Sequence, residues 1–517
     1  MKANFLLALC ALAQFCASSA YANTIRTVAV SGSVAPGTVA NFVSFPKPQI
    51  NNAGQIAFSA STKDLSLEVI YSSGVWFEAA GTLAIVSPPT SGEHFFGLGV
   101  SSYAALNDAG EMVFVASSGI SHQFPSDTGV WSNQGGSFEL VAGLEASAPG
   151  TSANFDVFAN TTPAINNSGQ TAFSAYLSGA GVDSSNDFGL WSEGSGSLEL
   201  VARKGNPAPE TSASFLWIAD YDPLLNDLGQ TAFAASLTGS GVDSSNDAGI
   251  WSGGSGNLRL VMREGNLAPG TGYNFQLDRR VKLAPTLNNL GQVAFSARVS
   301  SPQFSDGIWS EGSGSLELVA FEGDVAPGTT NNFGNLLNST PAFNDAGQTA
   351  FLGEAGSDQG IWSEGGGSLA LVALEGQMAP GTNWVFETFD KPVINNTGQV
   401  AFLANEHQAN VGIWAQNLAG ELKLIAKNGD VIDVDEGPGT DLRSISSLVL
   451  EFGSINDGNR RGGGFSDLGQ IAFQAIFTDG SKAILVSDRV AIPEPTNLFL
   501  AAMGGIFCLV GIRFRGV

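Results

Sequence analysis

Between its two apolar ends the chain has no cysteine. Cys10 and Cys16 fall in the first segment and Cys508 in the last. No disulfide can therefore hold the body, and its core and sheet closure must do so. Histidine is almost as scarce. His94, His122 and His407 stand in unrelated contexts, which leaves no His-based zinc site and no obvious general base. No Gly-x-Ser-x-Gly elbow is present, and no phosphate-cradling loop precedes a helix. Positive charge is short as well: 22 Lys and Arg against 47 Asp and Glu give a formal charge of −25. Such a surface repels DNA, RNA and anionic membrane. No helical period runs through the interior. What is present is 65 glycines, with β-branched and aromatic residues every few positions, a profile that suits many short strands joined by tight turns.

One eight-residue stretch recurs, clearest as Asn166-Asn167-Ser168-Gly169-Gln170-Thr171-Ala172-Phe173. Near-copies begin at Asn51, Asn107, Asn226, Asn288, Asn344 and Asn395, and a worn copy begins at Ser466. Its Asn-(Asn/Asp)-x-Gly portion reads as an Asx-turn in which glycine takes a positive φ. The Gln-x-Ala-Phe that follows alternates as a half-buried strand does. Downstream comes Gly-(Ile/Val/Leu)-Trp, at Trp76, Trp131, Trp191, Trp251, Trp309, Trp362 and Trp414. A near-constant gap of Ser, Glu and Gly leads on to Leu-x-Leu-Val-Ala, as at Leu198 to Ala202, and implies a tight hairpin. A Glu-Gly-x-x-Ala-Pro-Gly-Thr turn, clearest at Glu322 to Thr329, then leads to a short strand such as Pro163 to Ile165.

Four strands per unit is the make-up of a β-propeller blade. The fold class expected is all-β: a closed β-propeller of about eight blades, with seven the fallback if the worn copy folds irregularly. The ends of the chain argue for closure. After Phe473 only Ala483 to Val486 follows, in the Trp-strand place, and no Leu-x-Leu-Val-Ala strand comes after it. The missing strand stands at the other end, as Ile25 to Val30. An open solenoid has no reason to split one unit in this way.

The ends carry address labels. Residues 1–22 read as a signal peptide, with Lys2, an apolar run and Ala20-Tyr21-Ala22 before Asn23. Residues 23–490 form the repeat body. Residues 491–517 hold Pro493-Glu494-Pro495, an apolar run from Leu498 to Ile512 and Arg513-Phe514-Arg515. The run is short for a bilayer span, and the basic end places the body outside. This tail closely resembles the PEP-CTERM sorting signal of Gram-negative bacteria, with an ordinary tail anchor as the plainer alternative. The resemblance implies an exosortase-type partner, transient membrane anchorage through a transmembrane helix, and cell-surface or extracellular localisation. The tandem Asn-x-x-Gly-x-x-Ala-Phe units resemble the exported "choice-of-anchor" repeat proteins, which implies surface display and carries no activity.

Candidate sites sit in the loops that vary between units. Asp127, Asp187, Asp247, Asp306 and Asp358 lie just before the Trp strand, and Asp183 and Asp243 belong to two copies of Gly-Val-Asp-Ser-Ser-Asn-Asp. Oxygen-rich loops of this kind can hold Ca2+, although no Asp-x-Asp-x-Asp-Gly spacing occurs and Asp before Gly is ordinary turn chemistry. Ser126 to Trp131 resembles the Asp-box of sialidase-like propellers but is one residue short. Arg203, Arg263, Arg279 and Arg280 read as solvated charges rather than a sialidase cluster, and Asp430 to Glu436 as a surface insertion. The tryptophans read as blade core. No catalytic constellation is visible. The expected role is non-enzymatic, binding a polysaccharide, a protein or neighbouring copies. The alternative is a propeller hydrolase or lyase acting on extracellular polysaccharide, which acids or arginines converging on the central channel would favour.

Overall fold

The computed structural model describes residues 25–490 apart from residues 47, 65–70, 87–103, 118–127, 159–161, 220–222, 278–282, 302–303, 337–339, 407–409, 436, 438 and 451–462. The signal segment and the tail at 491–517 lie outside these residues. Among the described residues no helix is long and apolar enough to cross a membrane.

Blade 3 shows how a unit folds. Thr171–Ser178 leaves the Asn turn and pairs with the Trp strand Phe188–Ser192, which pairs with the outer strand Glu199–Arg203. The innermost strand comes in two pieces, Asn154–Phe158 and Ala164–Ile165, both paired with Thr171–Ser178. The sequence reading anticipates the second piece only. Eight antiparallel sheets of this order follow one another along the chain, each with its Leu-x-Leu-Val-Ala strand or equivalent outermost. The protein is an all-β, eight-bladed propeller. The worn copy folds as a regular blade, in which Ile471–Phe477 and Lys482–Ser487 pair and Ile25–Val30 adds the outer strand, Ile25 opposite Ser487 and Val30 opposite Ala483.

The apolar residues go between adjacent sheets. Leu190, Val201 and Ala202 of blade 3 share one cluster with Phe215, Phe233 and Trp251 of blade 4. Ala472, Ile484 and Val486 of blade 8 pack in the same way on Phe42, Phe58 and Trp76 of blade 1. Six of the seven repeat tryptophans are buried core, as read, and Trp131 is half-buried. Trp191 lies parallel to Phe173 at 6.4 Å, and Phe155 meets it edge-on at 5.0 Å. Such pairs add about 0.5–1.5 kcal/mol each beyond the area they bury. The Trp191 indole N–H also donates to the Pro149 carbonyl at 3.0 Å, as Trp251 does to Pro209, Trp309 to Pro269 and Trp362 to Pro327. The Ala-Pro turn of a crossover is thus the lid of the next blade's tryptophan in six blades, Trp131 being the exception, and ties two motifs lying more than thirty residues apart.

Candidate functional site

The strand directions sort the loops into two faces. Every Asn turn and every Ser-Glu-Gly-Ser hairpin lies on one face, and the variable loops and crossovers lie on the other. Both described ends belong to the Asn face: Ile25 pairs with Ser487 there, and the Val490 carbonyl accepts Gln399 Nε2 at 3.3 Å.

At the axis of the Asn face the eight turns make two hydrogen-bonded series. In the first, the opening asparagine closes its own turn and reaches the next blade. Asn166 Oδ1 accepts the Ser168 and Gln170 N–H, while its Nδ2 donates to Gln170 Oε1 and to the Asn226 carbonyl. All four capacities of a fully buried amide are used. The pattern repeats from Asn51 to Asn395, whose Nδ2 donates to the Ser466 carbonyl at 3.1 Å. Ser466 has no amide to pass the series on, and its Oγ accepts only the Gln470 N–H.

The second series uses the following residue, and that residue alternates: Asn52, Asp108, Asn167, Asp227, Asn289, Asp345, Asn396, Asp467. Each backbone N–H donates to the side-chain Oδ1 of the next blade's residue at 2.7–3.0 Å, and Asp467 donates to Asn52. The asparagine amides bridge the carboxylates on either side. Asn52 Nδ2 lies 3.2 Å from Asp108 Oδ2 and 2.7 Å from Asp467 Oδ2, and Asn396 Nδ2 lies 3.0 Å from both Asp345 and Asp467. An amide nitrogen only donates and a carboxylate only accepts, so alternation satisfies each neighbour. It fits an even number of blades without a fault and an odd number only with one. The sequence displays these letters, but only the circular order of the turns gives them meaning.

Asp108, Asp345 and Asp467 line the channel mouth with Asn52, Asn396, Leu287, Phe343 and Phe465, around about 520 Å3 of space that includes open solvent. Burial, with the Asp108 charge adding to it, pushes the Asp467 carboxyl above the ordinary carboxylate range. Acids do converge on the channel, but their oxygens hold neighbouring blades.

The predicted loop acids are not brought together. Asp183 Oδ1 accepts the Ser185 N–H and hydroxyl, and Asp243 does the same with Ser245. Both are fully exposed carboxyls that these hydrogen bonds hold below the usual range. Asp187 is ion-paired with Lys204 at 2.6 Å, and the Asp247 carbonyl accepts the Leu237 N–H. Asp306 is buried against Arg298 at 2.9 Å, and burial raises its pKa and that of nearby Glu322. Half-buried Asp358 accepts the Ser357 hydroxyl, and Asp127 lies outside the described residues. Among the described residues no group of three or more His, Cys, Asp or Glu is placed to hold a metal ion. Arg203 and Arg263 latch the two Gly-Val-Asp-Ser-Ser-Asn-Asp loops through the carbonyls of Asn186 and Asn246. In the insertion, Asp430 pairs with Lys427, and Asp433 accepts the N–H groups of Asp435 and Asp441.

No curated protein matches this chain. Among solved structures, the β-propeller domain of the Trilobed protease from Pyrococcus furiosus is similar at 9% identity and a TM-score of 0.38, over 75% of this chain and 96% of that one. A Mycobacterium tuberculosis puromycin-hydrolyzing peptidase matches at 11% identity and a TM-score of 0.37, over 88% of this chain and only 62% of its own. The polysaccharide lyase Uly1 matches at 11% identity and a TM-score of 0.36, over 80% and 91%. A family model covers residues 17–302 and 87–499, nearly the whole chain, and the protein therefore belongs to the family of unknown function DUF7453.

Proposed function

We propose that the protein is a non-enzymatic display propeller: a closed ring of eight blades, exported through residues 1–22 and sorted through its tail. In this reading Pro493, Glu494 and Pro495 address an exosortase-type machinery of a Gram-negative cell, and the apolar run from Leu498 to Ile512 anchors the chain as a transmembrane helix until cleavage. The observation that carries the reading is the placement of the ends. A tail leaving the Asn face turns that face towards the membrane and presents the loop face outward, where a polysaccharide or another surface protein can be bound. Ca2+ at the Asp loops is compatible with this role, and a calcium-dependent melting shift tests it.

Single cysteines test the orientation cleanly because the mature body has none. Ser184→Cys on the loop face should react with an impermeant maleimide on whole cells. Ser195→Cys on the Asn face should be protected while the tail is intact. Equal labelling of both removes the orientation. Replacing Pro493, Glu494 and Pro495 with alanine should leave the tail uncleaved, and normal processing of that variant removes the sorting assignment.

The second reading is a propeller hydrolase or lyase, supported by the carboxylates at the channel mouth. Release of oligosaccharides from a polysaccharide, lost in Asp345→Asn at unchanged fold, would establish it in place of the first.

A further inference from the structure

Three aromatic rings on the loop face of blades 4 and 5 break the repeat and stay open to solvent. Trp217 stands on the inner strand Ser214–Ile218 of blade 4 and is 40% exposed, where blade 3 carries Val157. Tyr273 stands in the crossover to blade 5 and is 38% exposed. The same repeat position holds the buried alanines Ala40, Ala153 and Ala213. Phe304 lies in the loop before the strand Ser305–Ser310 and is 51% exposed.

The Trp217 ring is held in place, and so is the backbone that carries Tyr273 and Phe304. Trp217 lies parallel to buried Phe188, with an interplanar angle of 3°, and Lys204 Nζ sits 5.7 Å from its centroid. The Lys204 charge is already engaged by Asp187 and the Ser184 carbonyl. The Tyr273 and Phe304 loops are stitched together, since the Ser300 N–H donates to the Asn274 carbonyl at 2.9 Å and the Phe304 N–H to the Ser301 carbonyl at 3.0 Å. Phe304 also has φ +57°. A large side chain in the left-handed region is uncommon, and this one exposes its ring as well. A residue unfavourable on both counts points to a role outside the fold.

The chemistry of the surface selects the partner. A protein interface is built on a continuous apolar centre with a polar rim, whereas these rings stand on three separate elements: an inner strand, a crossover and the loop before a Trp strand. A pyranose matches separate rings: its C–H face lies on an aromatic face while its hydroxyl edges stay hydrated, and successive sugars of a chain reach successive rings. The net charge of −25 opposes uronates and sulfated chains. We propose that the loop face of blades 4 and 5 binds a neutral polysaccharide, with pyranose rings stacked on Trp217, Tyr273 and Phe304. This rests on the reading above that the loop face is the outward, ligand-binding one.

The test titrates the full chain in detergent with cellohexaose, laminarihexaose and chitohexaose, with hexagalacturonate as the charged comparator. Calorimetry and tryptophan fluorescence report binding. At least one neutral hexasaccharide should bind, and Trp217→Val with Tyr273→Ala and Phe304→Gly should weaken it by about tenfold or more. Phe304→Gly alone removes the backbone strain, so its loss of affinity should come with an unchanged or higher Tm. Three results would overturn the proposal: no binding of any neutral hexasaccharide, equal binding by the triple variant, or tighter binding of hexagalacturonate. So would a dimer in sedimentation that the same substitutions dissolve. Binding in solution together with failed orientation labelling would leave this site standing and remove the display reading instead.

Discussion

At the residue scale, the opening asparagine shows what its near-invariance secures. Asn226 accepts the Leu228 and Gln230 N–H and donates to Gln230 Oε1 and the Asn288 carbonyl. Asn226→Ala leaves these groups unpaired in a buried turn, and a loss of about 2–4 kcal/mol is expected. Asn226→Ser keeps one acceptor, as Ser466 does, and should fall between. Urea unfolding of the two variants checks the order, and equal losses would show that the bond to the next blade is worth nothing. Glu210 offers the opposite case. It sits at φ +61° in the place where Gly150, Gly270 and Gly328 sit at +75° to +80°. Glu210→Gly should therefore raise stability by up to about 1 kcal/mol, because left-handed backbone is strained for any residue with a Cβ. A lower denaturation midpoint in this variant would mean that the Glu210 side chain contributes more than its backbone costs.

At the scale of the turns, the Asn/Asp alternation behaves as one electrostatic element. Asn289→Asp would set three carboxylates side by side at Asp227, position 289 and Asp345, with no amide between them. Burial and mutual repulsion then raise their pKa in the folded state. A carboxyl raised on folding gives stability that is present at low pH and is lost as the pH rises through its folded value. Asn289→Asp should accordingly be damaging at neutral pH and recover on acidification, whereas Asn226→Ala, which changes no charge, should not recover. The native chain already leans this way. Burial raises Asp467, Asp306, Glu322 and Asp390, so its Tm is expected to be higher at about pH 5 than at pH 8. A Tm that instead climbs from pH 5 to pH 8 would show that burial of these four carboxyls does not govern the pH dependence of the native chain.

At the scale of the whole molecule, the sequence makes the blade count, the strand order and the split eighth blade legible, because each rests on local periodicity. Its reading of the Asn stretch as an Asx-turn with a positive-φ glycine is sound but incomplete. The side chain after the first asparagine looks interchangeable within one unit, and its alternation acquires a partner only when turns some 51–71 residues apart meet at the axis. The loop acids were legible as turn chemistry for the same local reason. The outward aromatics were not, since Trp217 replaces Val157 at a position that varies between units and Phe304 lies in a variable loop.

The seam between blades 8 and 1 is where the whole ring can be challenged. The Ser466 link is missing there, yet other contacts cross it. Arg26 clamps buried Glu78 with two hydrogen bonds of 2.8 Å, as Arg259 clamps Glu311 between blades 4 and 5. Gln474 Nε2 donates to the Phe45 carbonyl, and the Ile50 N–H donates to the Gly463 carbonyl. Within blade 8 itself, no hairpin ties Ile25–Val30 to the sheet; strand pairing, the packing of Val30 and the Thr27 hydroxyl on the Asp433 carbonyl hold it non-covalently. The proposed closed ring must therefore open first where Ile25 faces Ser487. A disulfide from Ile25→Cys and Ser487→Cys would close a loop of nearly the whole body, and chain entropy then favours the fold by several kcal/mol, on the order of 5. The pair Ser192→Cys and Glu199→Cys, across one hairpin of blade 3, closes a few residues and should add much less. Comparing Tm and unfolding rate with each disulfide oxidised and reduced separates the two. A slower unfolding rate for the first pair alone identifies the N-terminal strand as the latch of the ring, and equal effects would place the initial opening elsewhere.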